Sequence, residues 1–268
     1  MATVSEFAGG KMLAEVNGAI GTMTFNQPEK RNAVSLEMWG GVAEILEKFE
    51  ADDQIRVVVL AGAGDKAFVS GADISQFDKQ RNNAEARKDY ARLSDAGRNR
   101  LQTFGKPMIA KINGYCIGGG LAIAMRADLR IASEKSSFGI PAARLGIAYS
   151  PDSVEQLMAL VGPARARMIL YTAEFFDAQE AERIGLINRC VAAADLDASV
   201  RHTAETIAAN APLSVAASRH AISELCKPAA RRDVAAIDAA VARCFDSDDY
   251  REGRRAFKEK RTPNFVGQ

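Results

Sequence analysis

The sequence predicts an α/β protein with a helical C-terminal region. Between Lys11 and Ala132, short β-type runs alternate with helical stretches, the pattern of helices layered on a sheet. From about Pro151 onward the pattern changes to a succession of alanine-rich helical stretches. We divide the chain accordingly into a core, residues 1–195, and a helical region, residues 196–268.

Each element follows from local chemistry. Lys11 to Val16 and Ala19 to Phe25 are β-type runs around Asn17-Gly18, a hairpin signal because both residues tolerate positive φ. Asn26 to Ala33 is polar, carries Pro28 and is read as a loop. Ser35 is placed to cap a helix whose apolar residues Leu36, Trp39, Val42, Ala43, Leu46 and Phe49 recur at helical spacing. Arg56 to Leu60 is a buried strand, Ala84 to Gln102 a charged helix, and Met108 to Ile112 a strand after Pro107. Leu121 to Arg126 is helical and Leu129 to Ala132 extended. In the second half, helical stretches cover Val154 to Val161, Ala164 to Tyr171, Ala178 to Ile184, Leu196 to Ala209, Ser214 to Leu225, Arg231 to Phe245 and Asp248 to Lys260.

Composition excludes several functions. The 268 residues carry a formal net charge of +1, so no global field favours nucleic acid. The four cysteines have no Cys-x-x-Cys spacing and the two histidines, His202 and His220, have no ligand partner nearby, so neither a metal site nor a His-based triad is expected. No basic-then-apolar leader and no apolar run of membrane-spanning length is present, and a cytoplasmic location is the expectation.

Two glycine-rich segments carry chemistry. Gly62 to Ala67 formally fits G-x-G-x-x-A after a strand, which would suggest a dinucleotide-dependent oxidoreductase. That motif should open a helix directly, whereas Phe68-Val69-Ser70-Gly71 reads as extended. Gly118-Gly119-Gly120 stands between a strand and a helix. Without Cβ atoms its N–H groups are open to a ligand oxygen, at the positive end of a helix dipole. A second donor from the Ser70–Ile74 turn would complete an oxyanion site.

Four segments then resemble one family. Phe68-Val69-Ser70-Gly71-Ala72-Asp73-Ile74 and Lys106 to Gly120 resemble the two signatures of the crotonase (enoyl-CoA hydratase/isomerase) superfamily. Asn26 to Ala33 resembles its CoA-binding loop, and Arg251 to Arg261 its C-terminal helix. The resemblance implies a spiral of ββα units with a helical C-terminal region that forms trimers or hexamers. It implies an acyl-CoA thioester as substrate, coenzyme A being part of that substrate and no separate cofactor or metal being needed. The N–H groups of Ala72 and Gly119 would form the oxyanion hole. Lys30, Arg31, Ala33, Ser70, Ala72 and Ile74 would line the CoA path, with Phe257 and Lys260 at its nucleotide end.

The pattern breaks where hydratases carry their two glutamates, at Ala122 and Ala142. Alanine neither activates water nor delivers a proton, and one positioned acid or base is worth about 10²–10⁴-fold in rate. The sequence therefore points to an acyl-CoA enzyme, lyase or isomerase, whose acid–base group lies elsewhere. The alternative is a non-catalytic acyl-CoA-binding or assembly protein. Asp152 is the candidate acid–base residue, with helix N-capping as its structural reading. Tyr149 is read as packing or catalysis, and Asp73 as a turn-shaping residue.

Overall fold

The computed structural model describes residues 3–73 and 84–268. Its large sheet has seven strands: β1 (Thr3–Phe7), β2 (Met12–Asn17), β3 (Ile20–Phe25), β4 (Val57–Gly62), β6 (Met108–Ile112), β8 (Leu129–Ser133) and β11 (Arg189–Val191), in that spatial order. The first three are antiparallel; β3, β4, β6, β8 and β11 are parallel. A second sheet has the order β10 (Phe176–Asp177), β9 (Ser137–Gly139), β7 (Tyr115–Ile117), β5 (Ala67–Val69).

The helices complete a repeat. After α1 (Leu36–Ala51), the chain runs β4, β5, α2 (Ala84–Thr103); then β6, β7, α3 (Gly119–Arg126); then β8, β9, α4 (Pro151–Thr172). Each unit contributes one strand to the large sheet, one to the small sheet and one helix, which is the ββα spiral expected from the resemblance. Next come α5 (Ala178–Arg183), α6 (Leu196–Ala209), α7 (Pro212–Leu225), α8 (Val234–Asp246) and α9 (Asp248–Glu259).

The central strands are buried on both faces, and successive residues join different cores because their side chains point to opposite faces. On β4, Val58 and Leu60 join the main core, with Met38, Val42, Ile45 and Leu46 of α1. Val57 and Val59 face the other way, onto Leu196, Val200, Ala204 and Ala208 of α6. Residue 196, where the helical region was expected to begin, is the first residue of α6, and that helix packs against the large sheet.

Several expectations are corrected in detail. The hairpin turn is Gly18-Ala19, with Gly18 at φ +57° and Asn17 paired to Ile20 as the last strand residue. Strands β1, β7 and β9 were not expected; β7 and β9 have three residues each, too few to show alternation. The two helical runs expected between Val154 and Tyr171 are, by contrast, both present within α4, separated at Gly162, whose φ of +74° is not helical and which Pro163 follows. The Gly62–Ala67 segment leads into strand β5, not into a helix, so it lacks the geometry of a dinucleotide-binding turn.

Candidate active site

The small sheet builds the site. Strands β5, β7 and β9 are parallel and adjacent, with Val69 opposite Cys116 and Cys116 opposite Phe138. Their C-terminal ends therefore lie side by side. The chain leaves them through Ser70-Gly71-Ala72, Gly118-Gly119 and Ile140-Pro141-Ala142, respectively. Three turns separated by dozens of residues are brought to one edge, the usual ligand-binding edge of a parallel sheet.

Ala72 and Gly119 meet there. A Cβ placed on Gly119 would lie 3.5 Å from the Ala72 nitrogen, and one on Gly71 would lie 3.8 Å from the Gly119 nitrogen. Among the described residues, no acceptor is hydrogen-bonded to either N–H. Gly119 is exposed and Ala72 partly so. Two adjacent N–H donors, one at a helix N-terminus, can hold an oxygen that becomes negative during reaction.

The three glycines serve three needs. Gly118 is the N-cap residue of α3, at φ +53°, a conformation that favours glycine. Gly119 leaves room beside Ala72. Gly120 packs so closely on β5 that a Cβ would lie 1.9 Å from the Val69 carbonyl oxygen.

Backbone hydrogen bonds fasten residues 26–34 to the turn after β5. Ser70 N–H donates to Arg31 O at 3.1 Å, Val34 N–H to Gly71 O at 2.8 Å, and Asp73 N–H to Val34 O at 3.0 Å. Lys30 Nζ pairs with the buried Asp73 carboxylate at 2.8 Å, and this hydrogen bond is the main reason its ammonium titrates above the ordinary lysine range. Asp73 thus shapes its turn. Arg31 is exposed and stacks its guanidinium 5.2 Å from the Tyr115 ring centroid. Ala33 is buried, and its carbonyl accepts from Gln27 Nε2 at 3.1 Å. Lys30, Arg31, Ala33, Ser70, Ala72 and Gly119 are therefore gathered at one edge of the molecule. Ile74, and the apolar Phe77, lie outside the described residues.

Phe257 and Lys260 stand apart. Phe257 is 87 % exposed and lines a cavity of about 670 Å³ with Phe245, Tyr250 and Phe265, all from the C-terminal region. Lys260 closes α9 in the left-handed conformation, φ +53°.

The two alanines flank the same edge. Ala122 lies one turn into α3, and its N–H donates to Gly118 O at 3.1 Å. Ala142 is buried in a short 3₁₀ turn, next to Pro141, which approaches Gly118. Tyr149 donates its phenolic hydrogen to Gly118 O at 2.8 Å. Burial raises the Tyr149 phenol above its ordinary range, so it is a neutral donor at neutral pH. Asp152 is exposed, and the helix cap is Ser150, one residue before Pro151; Asp152 is in the first turn and does not cap. Burial pulls the Arg126 guanidinium below its usual range, and the charge of Asp152 opposes that shift. Arg126 escaped the sequence reading. Its spacing of four from Ala122, which sets both on one helix face, was the available signal.

A spiral of ββα units, with paired N–H donors where two parallel strands end, defines the crotonase-fold class. Residues 15–268 match the sequence model of the Enoyl-CoA hydratase/isomerase family. A "Short-chain-enoyl-CoA hydratase" of Clostridium acetobutylicum is 36% identical over 250 residues, 93% of this chain and 95% of that protein. A "Carnitinyl-CoA dehydratase" of Proteus mirabilis is 34% identical, over 94% of this chain and 96% of that protein. The crystal structure of an "enoyl-CoA hydratase/ carnithine racemase" from Magnetospirillum magneticum superposes with a TM-score of 0.90 at 38% identity, covering 96% of each chain. The chain belongs to the enoyl-CoA hydratase/isomerase family.

Proposed function

We propose that this protein processes an acyl-CoA thioester by holding its carbonyl oxygen, as it becomes an enolate, between the N–H groups of Ala72 and Gly119. The observation that carries the reading is the adjacency of these two donors, neither engaged by a described residue. Donors held in place before reaction stabilise charge that develops in the transition state, the source of most of the rate in such sites. Lys30 and Arg31 supply local positive charge for CoA phosphates; Ser70 and Ala33 line the path, with Phe257 and Lys260 at the nucleotide end.

Hydration of an enoyl-CoA needs water activated and the α-carbon protonated, and Ala122 and Ala142 do neither. Isomerisation, decarboxylation or thioester hydrolysis needs fewer or different proton transfers. In decarboxylation the departing CO₂ leaves its electron pair on the α-carbon, so the enolate forms without a base. Asp152, whose charge acts on Arg126, is the proposed acid–base group. No helix of the described residues is long and apolar enough to cross a membrane, and we place the activity in the cytoplasm.

We also infer a homotrimer or homohexamer. Apolar side chains of the helical region are exposed on the single chain, including Ile222, Leu225, Val241, Phe245 and Phe257, and such patches mark association surfaces.

The test is exchange of the α-hydrogens of acetyl- and butyryl-CoA, and of the γ-hydrogens of crotonyl-CoA, with deuterium from solvent, alongside binding of each. Exchange above the uncatalysed rate, abolished by Gly119→Ala, is expected. Binding without exchange or turnover would instead establish the non-catalytic alternative.

A further inference from the structure

We infer that Tyr149 is a positioning residue of the oxyanion site, acting through the peptide unit that joins Gly118 to Gly119. This rests on the reading that the Gly119 N–H receives the thioester oxygen.

The carbonyl of Gly118 and the N–H of Gly119 belong to one planar peptide. Whatever fixes the carbonyl also aims the N–H. That peptide lies in a run of three glycines, where backbone rotation meets little steric resistance. A rotated peptide would present its oxygen, not its N–H, to the substrate. Gly118 has no side chain to cap the helix. Two donors instead hold its carbonyl: Ala122 N–H at 3.1 Å and Tyr149 O–H at 2.8 Å. The Ala122 bond closes the first helical turn and follows from the helix itself. The Tyr149 bond comes from outside the helix and is an added constraint.

The phenol also changes the peptide's charge distribution. Donation to a carbonyl oxygen polarises the amide and makes its N–H a stronger donor. The phenol stays protonated, because burial raises its pKa, so this donation persists across the neutral and mildly alkaline range. The ring is partly buried and packs against the main core, which restricts the hydroxyl. On the reading that Ala122 and Ala142 replace the hydratase glutamates, more of the catalysis falls to an oxyanion site that is rigid and strongly polar.

The experiment uses butyryl-CoA labelled with ¹³C at the thioester carbonyl, bound to the full-length protein. The infrared stretch of the bound carbonyl reports how strongly the oxyanion donors polarise it. A shift to lower frequency is expected in the unmodified protein. Tyr149→Phe should remove about half of that shift and lower the α-exchange rate constant about tenfold at saturation, with KM changed less than about twofold. Site-specific 3-fluorotyrosine at 149, a stronger hydrogen-bond donor, should enlarge the shift, so the proposal is readable even if the phenylalanine variant folds poorly. No shift in the unmodified protein would remove the oxyanion reading and this proposal with it. A shift that is the same in all three proteins would overturn this proposal alone.

Discussion

Lys30 Nζ lies 2.8 Å from Asp73 Oδ2, an ion pair that fastens the loop after β3 to the turn carrying Ala72. One residue thus serves the charge of the proposed CoA path while bracing an oxyanion donor. Lys30 is half-exposed, so solvent screening keeps the pair's contribution to stability small. Lys30→Met should raise KM for acyl-CoA about tenfold with little loss of kcat. Asp73→Asn, which disturbs the turn itself, should lower kcat more than it raises KM. Steady-state kinetics on both variants would check this. The pair also sets a pH dependence. Its hydrogen bond raises the folded-state pKa of Lys30, so the stabilisation is fully present below the unfolded lysine value of about 10.4 and is lost as pH rises through the folded value. Thermal midpoints of the parent and Lys30→Met should differ at pH 8 and converge in strong alkali.

Adjacent glycines should respond differently to the same substitution. Gly119→Ala adds a methyl 3.5 Å from the Ala72 nitrogen, an ordinary contact, so the protein should fold. The methyl fills the space of the thioester oxygen, and activity should fall by about 10²–10³-fold, the cost of losing one oxyanion donor. Gly120→Ala places its methyl 1.9 Å from Val69 O, and should lower stability by at least about 1–3 kcal/mol through overpacking. Equal thermal midpoints for the two variants would contradict this geometry.

Restoring the missing carboxylates tests the role of the alanines. The unmodified protein should hydrate crotonyl-CoA poorly, and Ala122→Glu combined with Ala142→Glu should gain about 10²–10⁴-fold. Ala142 is buried, so the gain should come with reduced thermal stability. Efficient hydration by the unmodified protein would mean that another group activates water, and Asp152→Asn would then abolish it.

Glu252 controls the end of the chain. It accepts from Arg261 at 2.6 Å, from the Asn264 N–H at 3.0 Å and from Arg255 at 2.5 Å. Those bonds, Arg261 first, hold its carboxyl well below the usual carboxylate range. A depressed folded-state pKa gives stability that is present above the unfolded value of about 4.3 and lost as pH falls through the folded value. Glu252→Gln should therefore loosen residues 261–266 at neutral pH, seen as faster amide hydrogen exchange, and the difference from the parent should shrink only in strong acid.

Phe257→Asp tests the association surface. A charge in the exposed apolar patch should shift the protein from oligomer to monomer in light scattering. If Phe257 and Lys260 serve a neighbouring subunit's nucleotide pocket, acyl-CoA affinity should fall in parallel; an unchanged oligomer would remove this part of the reading.

Sequence alone determined the α/β class, most helices and the family, and the resemblance pointed to Ala122 and Ala142 as the positions of the hydratase glutamates. Helical periodicity and caps are local, so Leu196–Ala209 was legible to the residue and Ser35 was recognisable as a cap. The glycine run and the Gly-Ala-Asp turn were legible because only particular residues tolerate such close backbone approach. What the sequence could not show was adjacency. Ala72 meets Gly119 because β5 and β7 run parallel side by side, a pairing between segments too short to announce themselves. The bond from Tyr149 to Gly118 spans 31 residues, and the charge of Asp152 acts on Arg126 from a different helix. These relationships depend on how strands pair and helices pack over the whole chain, and no local pattern of residues encodes them.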